Sequence, residues 1–144
     1  MTALVGEDLQ RARELLQTTG ATVVAVCQGN LLGAEHGSRL LPLLRLIRRL
    51  GHGLAGASVA DRVVGRAAAL MLLHAGVAGV FGEVMSEGAR QALAGKNVTH
   101  QWDELAPAIT TPAGATCPME AMVQDTTEPE EAFKRLERVL ARFL

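Results

Sequence analysis

Along residues 7 to 19 the apolar positions Leu9, Ala12, Leu15 and Leu16 recur at helical spacing, and Gly20 ends the pattern as a C-terminal stop. A first helix is predicted there. The next apolar run, Thr22-Val23-Val24-Ala25-Val26-Cys27, is continuous and β-branched. After Gln28-Gly29-Asn30 a weaker run over Leu31 and Leu32 follows, so the two read as a hairpin. Ser38 then caps a segment running to Leu50, with Leu40, Leu43, Leu44, Ile47 and Leu50 on one side. Arg39, Arg45, Arg48 and Arg49 cover its solvated side, and Gly51-His52-Gly53 breaks it.

From residue 54 the periodicity switches between strand and helix. Leu54 to Val59 predicts a third strand, Val63 to Ala75 a helix, Val77 to Phe81 a fourth strand, Glu87 to Leu93 a helix, and Val98 to Gln101 a fifth strand. Alternation of this kind implies parallel crossovers and an α/β sheet covered on both faces. The helix from Val63 is apolar almost all round, which makes it the central buried one. Residues 103 to 116 carry Pro107, Pro112 and Gly114 without clear periodicity, a loop long enough to suggest a functional role. Beyond it a short helix opens at Cys117. Thr127 with Glu130 then reads as a capping box for a last helix with the stripe Phe133, Leu136, Leu140 and Phe143.

Composition narrows this picture. A length of 144 residues fits one domain with one core. With 49% apolar but only 3% aromatic residues and no tyrosine, Leu, Val and Ala must fill the interior. The charge balance, 14 basic against 15 acidic residues, provides no general footprint for nucleic acid or a membrane surface. The first residues lack the basic start and apolar run of a signal peptide, and Arg or Gly interrupts every apolar stretch before membrane-spanning length. A cytoplasmic location is expected. Two cysteines are too few for a disulfide framework or a four-cysteine zinc site, so both are expected reduced, with Cys27 a buried hydrophobe.

Candidate chemistry gathers where strands hand over to helices, because ligands of parallel sheets lie beyond strand C-termini, against helix N-terminal N–H groups. Asp61 reads as the N-cap of the helix after the third strand, with Arg62 and Arg66 in its first turn. Cations there oppose the helix dipole and call for an anion, either Glu83 or Glu87 or a ligand group. Gly65 lowers helix propensity and so marks a close approach, by a neighbouring backbone or a ligand. Ser86 caps the following helix, next to Glu83. In Cys117-Pro118-Met119-Glu120 the thiol occupies an N-cap, Pro118 the first turn, and Glu120 the position from which a capping-box carboxylate reaches back. A cysteine so placed tends toward a reactive thiolate. His36, His52, His74 and His100 have no partner at metal-binding spacing, Trp102 reads as a core plug or an interface residue, and no glycine-rich phosphate loop is present.

Three stretches, Val59-Ala60-Asp61-Arg62-Val63-Val64-Gly65-Arg66-Ala67-Ala68, Gly82-Glu83-Val84-Met85-Ser86-Glu87 and Cys117-Pro118-Met119-Glu120, carry a resemblance across nearly the whole chain. The chain resembles a family of small prokaryotic proteins, a domain of unknown function assigned to the cytidine deaminase-like fold. That resemblance implies a three-layer α/β/α sandwich around a five-stranded mixed sheet of order 2-1-3-4-5. Zinc deaminases hold their metal with His-x-Glu or Cys-x-Glu at one helix start and Pro-Cys-x-x-Cys at the next. Here those places carry Ala60-Asp61-Arg62 and Glu83-Val84-Met85-Ser86-Glu87, so zinc-dependent deamination is not expected and no cofactor is implied.

Two functions of different class follow, with a third beside them. The first is a zinc-less binding module taking a small polar or anionic ligand, nucleotide-like molecules included. Asp61, Arg62, Gly65, Glu83 and Ser86 would form its pocket at the strand C-terminal ends. The second is a cysteine enzyme or sulfur carrier with Cys117 as nucleophile, Glu120 or Asp61 tuning it and residues 103 to 116 as a lid. The third is a homo-oligomer without ligand.

Overall fold

The computed structural model describes residues 2–144. Its order is α1 (Thr2–Thr19), β1 (Val23–Cys27), β2 (Asn30–Glu35), α2 (Leu41–Leu50), a 3-10 turn (Gly51–Leu54), β3 (Ser58–Val64), α3 (Arg66–Ala75), β4 (Gly79–Ser86), α4 (Glu87–Gly95), β5 (Thr99–Ala106), α5 (Pro118–Met122), α6 (Pro129–Leu140) and a closing 3-10 turn (Ala141–Phe143). The five strands form one mixed sheet in the order β2-β1-β3-β4-β5. β1 runs antiparallel to β2 and β3, whereas β3, β4 and β5 are parallel.

Side-chain alternation divides the sheet into two faces. Leu9, Ala12 and Leu16 of α1 bury one face against Val24, Val26, Ala60 and Phe81. The other face is covered by α2, α3, α4 and α6 around a larger cluster that includes Val59, Leu72, Leu93 and Leu136. The expected sandwich and strand order are thus present, and α3 is the central helix, with Ala67 through Leu72 all buried. No helix among the described residues is long and apolar enough to cross a membrane.

The β1–β2 hairpin turns on Gln28 and Gly29, both at positive φ (52° and 80°), and Cys27 pairs with Asn30. Two left-handed central residues match the twist of the flanking strands. The carboxylate of buried Asp8 on α1 accepts both turn N–H groups, from Gln28 and Gly29, at 2.8 Å each. Cys27 is half-buried rather than buried, with its Sγ 3.9 Å from the Gly56 carbonyl.

Several boundaries differ from expectation. The third strand covers Ser58–Val64 rather than 54 to 59, so Asp61 and Arg62 lie inside a strand and neither belongs to a helix start. The N-cap of α3 is Gly65. Leu40, not Ser38, is the N-cap of α2, which leaves Arg39 off the helix in the connection from β2. β5 continues through Ala106: its middle is exposed on both faces, and an edge strand of that kind has no hydrophobic alternation to read. α6 begins after Glu128 without a side-chain cap, so the Thr127–Glu130 box does not form; instead Thr126 Oγ1 accepts the Glu128 N–H at 3.1 Å. Phe143 falls in the final 3-10 turn and is 66% exposed, outside the stripe of Phe133, Leu136 and Leu140.

Candidate functional site

A half-open cavity of about 600 Å³ lies at the C-terminal end of β3, where the antiparallel and parallel halves of the sheet meet. Three distant stretches wall it. The first is the start of β1 with the connection after β2, from Thr22 to Leu40; the second is the end of β3 with the first turn of α3; the third runs from Ile109 to Glu120. Its surface is mostly hydrocarbon. Its volume falls in the range of small-molecule sites.

Thr22 fixes the first wall by accepting the Gly37 N–H at 3.2 Å and donating to the Gly37 carbonyl at 2.7 Å. Arg45 donates to the His36 carbonyl at 3.2 Å. Between these anchors Arg39 adopts a left-handed backbone, φ 61°, costly for a residue with a β-carbon, and stands exposed at the cavity mouth. Sequence reasoning missed this residue by placing it on the α2 surface. The usable signal was Pro42, which belongs in a first turn and so puts residue 39 ahead of the helix.

The third wall is a tight hairpin rather than an open loop. Thr110 bridges Thr116, Thr111 N–H bonds the Ala115 carbonyl at 2.8 Å, and Cys117 N–H bonds the Ile109 carbonyl at 3.4 Å. The lid expected over 103 to 116 therefore shrinks to a hydrogen-bonded turn whose first residues belong to β5.

Asp61 sits on the cavity wall with 5% of its surface exposed. Its carboxyl accepts one long hydrogen bond, from the Val63 N–H at 3.4 Å. Burial pushes it up to about 7 from the ordinary 3.8. The N–H groups of Val63 and Arg62 and the Arg62 charge oppose that rise, and the Glu83 charge adds slightly to it. Asp61 thus lines the cavity, but as a strand residue and not as a cap.

Arg62, the next residue, takes the alternate direction of the strand. Its guanidinium donates to the carbonyls of Leu16 (2.7 Å) and Ala21 (3.0 Å) and pairs with Glu83 at 2.7 Å. It closes the C-terminal end of α1 and is spent there, so it is not available to hold a ligand anion. Glu83 is its partner and does not line the cavity. Neither does Ser86, whose Oγ accepts the Ala89 N–H at 3.0 Å as the cap of α4. Ser86→Ala should therefore cost about 1 kcal/mol in urea unfolding and leave any ligand affinity unchanged.

Gly65 marks a close approach, and the approaching group is Glu120. A β-carbon on Gly65 would lie 1.6 Å from Glu120 Oε1 and 2.9 Å from Ile109 Cγ1. Gly65 has φ −92° and ψ −177°, open to any residue, so the requirement is space and not backbone freedom. Glu120 Oε2 accepts the Ala67 N–H at 2.7 Å and serves the N-terminus of α3 from across the chain instead of reaching back to Cys117. Burial pushes the Glu120 carboxyl above its usual range, against the pull of the Ala67 and Arg66 N–H groups and the Arg66 charge. Arg66 donates to the carbonyls of Val123 and Thr126, tying the end of α5 to α3.

Cys117 lines the same cavity, half-buried, and is the N-cap of α5 without a side-chain cap bond. α5 has five residues, so few aligned peptide dipoles stand behind the thiol. The structure thus brings Asp61, Gly65, Cys117 and Glu120 together, with Arg62 also on the wall but its guanidinium engaged by Glu83 and two backbone carbonyls, and leaves Glu83 and Ser86 outside.

The deaminase-like architecture implies a zinc ion, and the donor set does not fit one. The start of α3 offers Gly65 and a carboxylate already bonded to Ala67 N–H; the start of α4 offers a serine engaged as a cap. Among the described residues no three or more His, Cys, Asp or Glu side chains are grouped to hold a metal.

Comparisons with known proteins agree with this architecture. Residues 11–140 match the family model TM1506, domain of unknown function (DUF1893). A crystal structure of a DUF1893 family protein from Thermotoga maritima superposes with a TM-score of 0.82 at 26% identity, covering 94% of this chain and 90% of that one. RibD of Acinetobacter baumannii superposes with a TM-score of 0.54 at 13% identity over 68% of this chain and 35% of its own, a likeness of fold alone. No curated protein matches. Because the family match runs from α1 through α6 and takes in every wall of the cavity, the chain belongs to the DUF1893 family.

Proposed function

We propose that the chain is a binding module whose cavity at the C-terminal end of β3 takes one small polar molecule. The observation that carries this is Asp61. The carboxyl of a residue only 5% exposed, with a single 3.4 Å hydrogen bond, stands on the wall of a hydrocarbon-lined volume of ligand size. Burying an under-satisfied polar group costs stability that packing alone does not return, and ligand sites pair apolar walls with a few convergent polar groups. An anionic or nucleotide-like ligand would find its cation in Arg39 at the mouth, since Arg62 is engaged elsewhere.

Cys117 reports on occupancy. A fragment set should include compounds that slow alkylation of Cys117 by N-ethylmaleimide, followed by peptide mass mapping, while Cys27, outside the cavity, keeps its rate. Val63 lines the cavity and is 44% exposed, so Val63→Trp adds bulk there without filling a packed core. It should abolish the protection and lower the affinity obtained from the ligand-induced thermal shift at least tenfold. A fragment set in which nothing protects Cys117 would remove the binding reading. The cysteine-enzyme reading draws on the placement of Cys117 in the same cavity as Asp61. A mass adduct mapping to Cys117 in protein isolated from cells is the observation that would move the assignment to thiol chemistry.

A further inference from the structure

Resting on the binding reading above, we propose that the ligand of this cavity is an organic cation, a protonated amine, amidine or guanidine on an apolar body, with the Asp61 carboxylate as its counter-ion.

The charges around Asp61 support a cation over an anion. On its own strand, Arg62 points its guanidinium into the α1 carbonyls of Leu16 and the following Ala21 and into Glu83. From α3, Arg66 spends its donors on the Val123 and Thr126 carbonyls. From β4, Glu83 adds negative charge near Asp61. From α5, Glu120 brings a second carboxylate to the same cavity, and Cys117 a thiol. The remaining cation on the wall is Arg39, exposed at the mouth, which forms no ion pair among the described residues. Asp61 is therefore a buried acid with no ion pair among the described residues, the neighbouring Arg62 charge being directed to Glu83 and the backbone carbonyls, in a cavity holding two carboxyls. A buried carboxylate is stable only when paired and hydrogen-bonded; otherwise it takes up a proton. A ligand with an ammonium or amidinium group supplies both the charge and the donors, and its apolar body meets the hydrocarbon of Val63, Ile109 and Met119.

Proton exchange follows from this geometry. With its carboxyl pushed up to about 7, Asp61 in the empty site is mostly protonated at pH 6 and mostly ionised at pH 8. A cation binds the ionised form and displaces the proton. Affinity should rise about tenfold from pH 6 to pH 8, one factor of ten for the one decade of ionisation gained.

The test is calorimetric titration of the full chain with benzamidine and benzylamine, beside benzamide and benzoate as neutral and anionic counterparts of the same shape. The expected result is binding of the two cations only, about tenfold tighter at pH 8 than at pH 6, with close to one proton released per ligand at pH 6. Asp61→Asn should abolish the cation preference and flatten the pH profile, leaving the two cations no better than benzamide at protecting Cys117. If benzamide or benzoate binds as well as the cations, or if Asp61→Asn keeps the preference, the cation assignment is overturned and the pocket stands. If no compound binds or protects Cys117, the pocket reading falls with it.

Discussion

Asp61→Asn should make the protein more stable, and more so the higher the pH. Asp61 holds its proton up to about 7 in the folded chain and only to about 3.8 when unfolded. The folded state therefore binds more protons than the unfolded state between those values, and stability falls as pH rises through that window before levelling above it. Each pKa unit is about 1.4 kcal/mol, so ionised Asp61 costs the native state up to about 4 kcal/mol at pH 8. An asparagine carries no such cost. Whatever the amide gains or loses in hydrogen bonding is the same at both ends of the scale, so the informative quantity is the change in the difference between variant and wild type. That difference should widen by about 3 kcal/mol between pH 4.5 and pH 8. On a chain of this length this is about 10 °C in Tm. Parallel melting curves across that range would show that the Asp61 carboxyl is not the group titrating. Glu120, displaced in the same direction, adds a pH slope common to both proteins and cancels in the comparison.

Gly65→Ala should be the most damaging small substitution at the site, by about 2–3 kcal/mol. The added β-carbon claims the position of Glu120 Oε1, at 1.6 Å, so the carboxylate must leave and the Ala67 N–H loses its partner. The cost of losing a charged cap is about 1–2 kcal/mol. Ile109 must also shift from 2.9 Å, which loosens the hairpin that walls the cavity. The two terms separate in a double-mutant cycle. In a Glu120→Ala background the cap is already gone and the space is open, so Gly65→Ala should then cost under about 1 kcal/mol. Additive losses in urea unfolding would mean that Gly65 and Glu120 act independently.

How the chain divides into elements was legible wherever one face of an element meets the core. The stripes of α1 and α6, the all-round apolar character of α3 and the β1–β2 hairpin follow directly from the apolar pattern. The third strand was misplaced because its interior carries Asp61 and Arg62, and a charged pair between apolar runs reads as a turn. Neither charge is explained locally: Arg62 is held by the end of α1 and Glu83, and Asp61 is buried on the cavity wall with its pKa raised. Gly65 was legible as a close approach, but the approaching group comes from 55 positions further along, beyond the reach of local pattern. Glu120 followed the capping-box spacing from Cys117 and yet serves another helix. Spacing identifies a carboxylate suited to a helix start; it does not say which start. Arg39 escaped notice because like-charged neighbours on α2 absorbed it into a surface pattern.

The bond between Glu120 and the amide of Ala67 has a consequence for how the protein is made. All five strands can emerge from the ribosome and pair before residue 107 appears, but the hollow beside them lacks its third wall until residues 109–120 follow. Enclosure of the hollow is then a late event of biosynthesis, completed by residues that add no strand to the sheet.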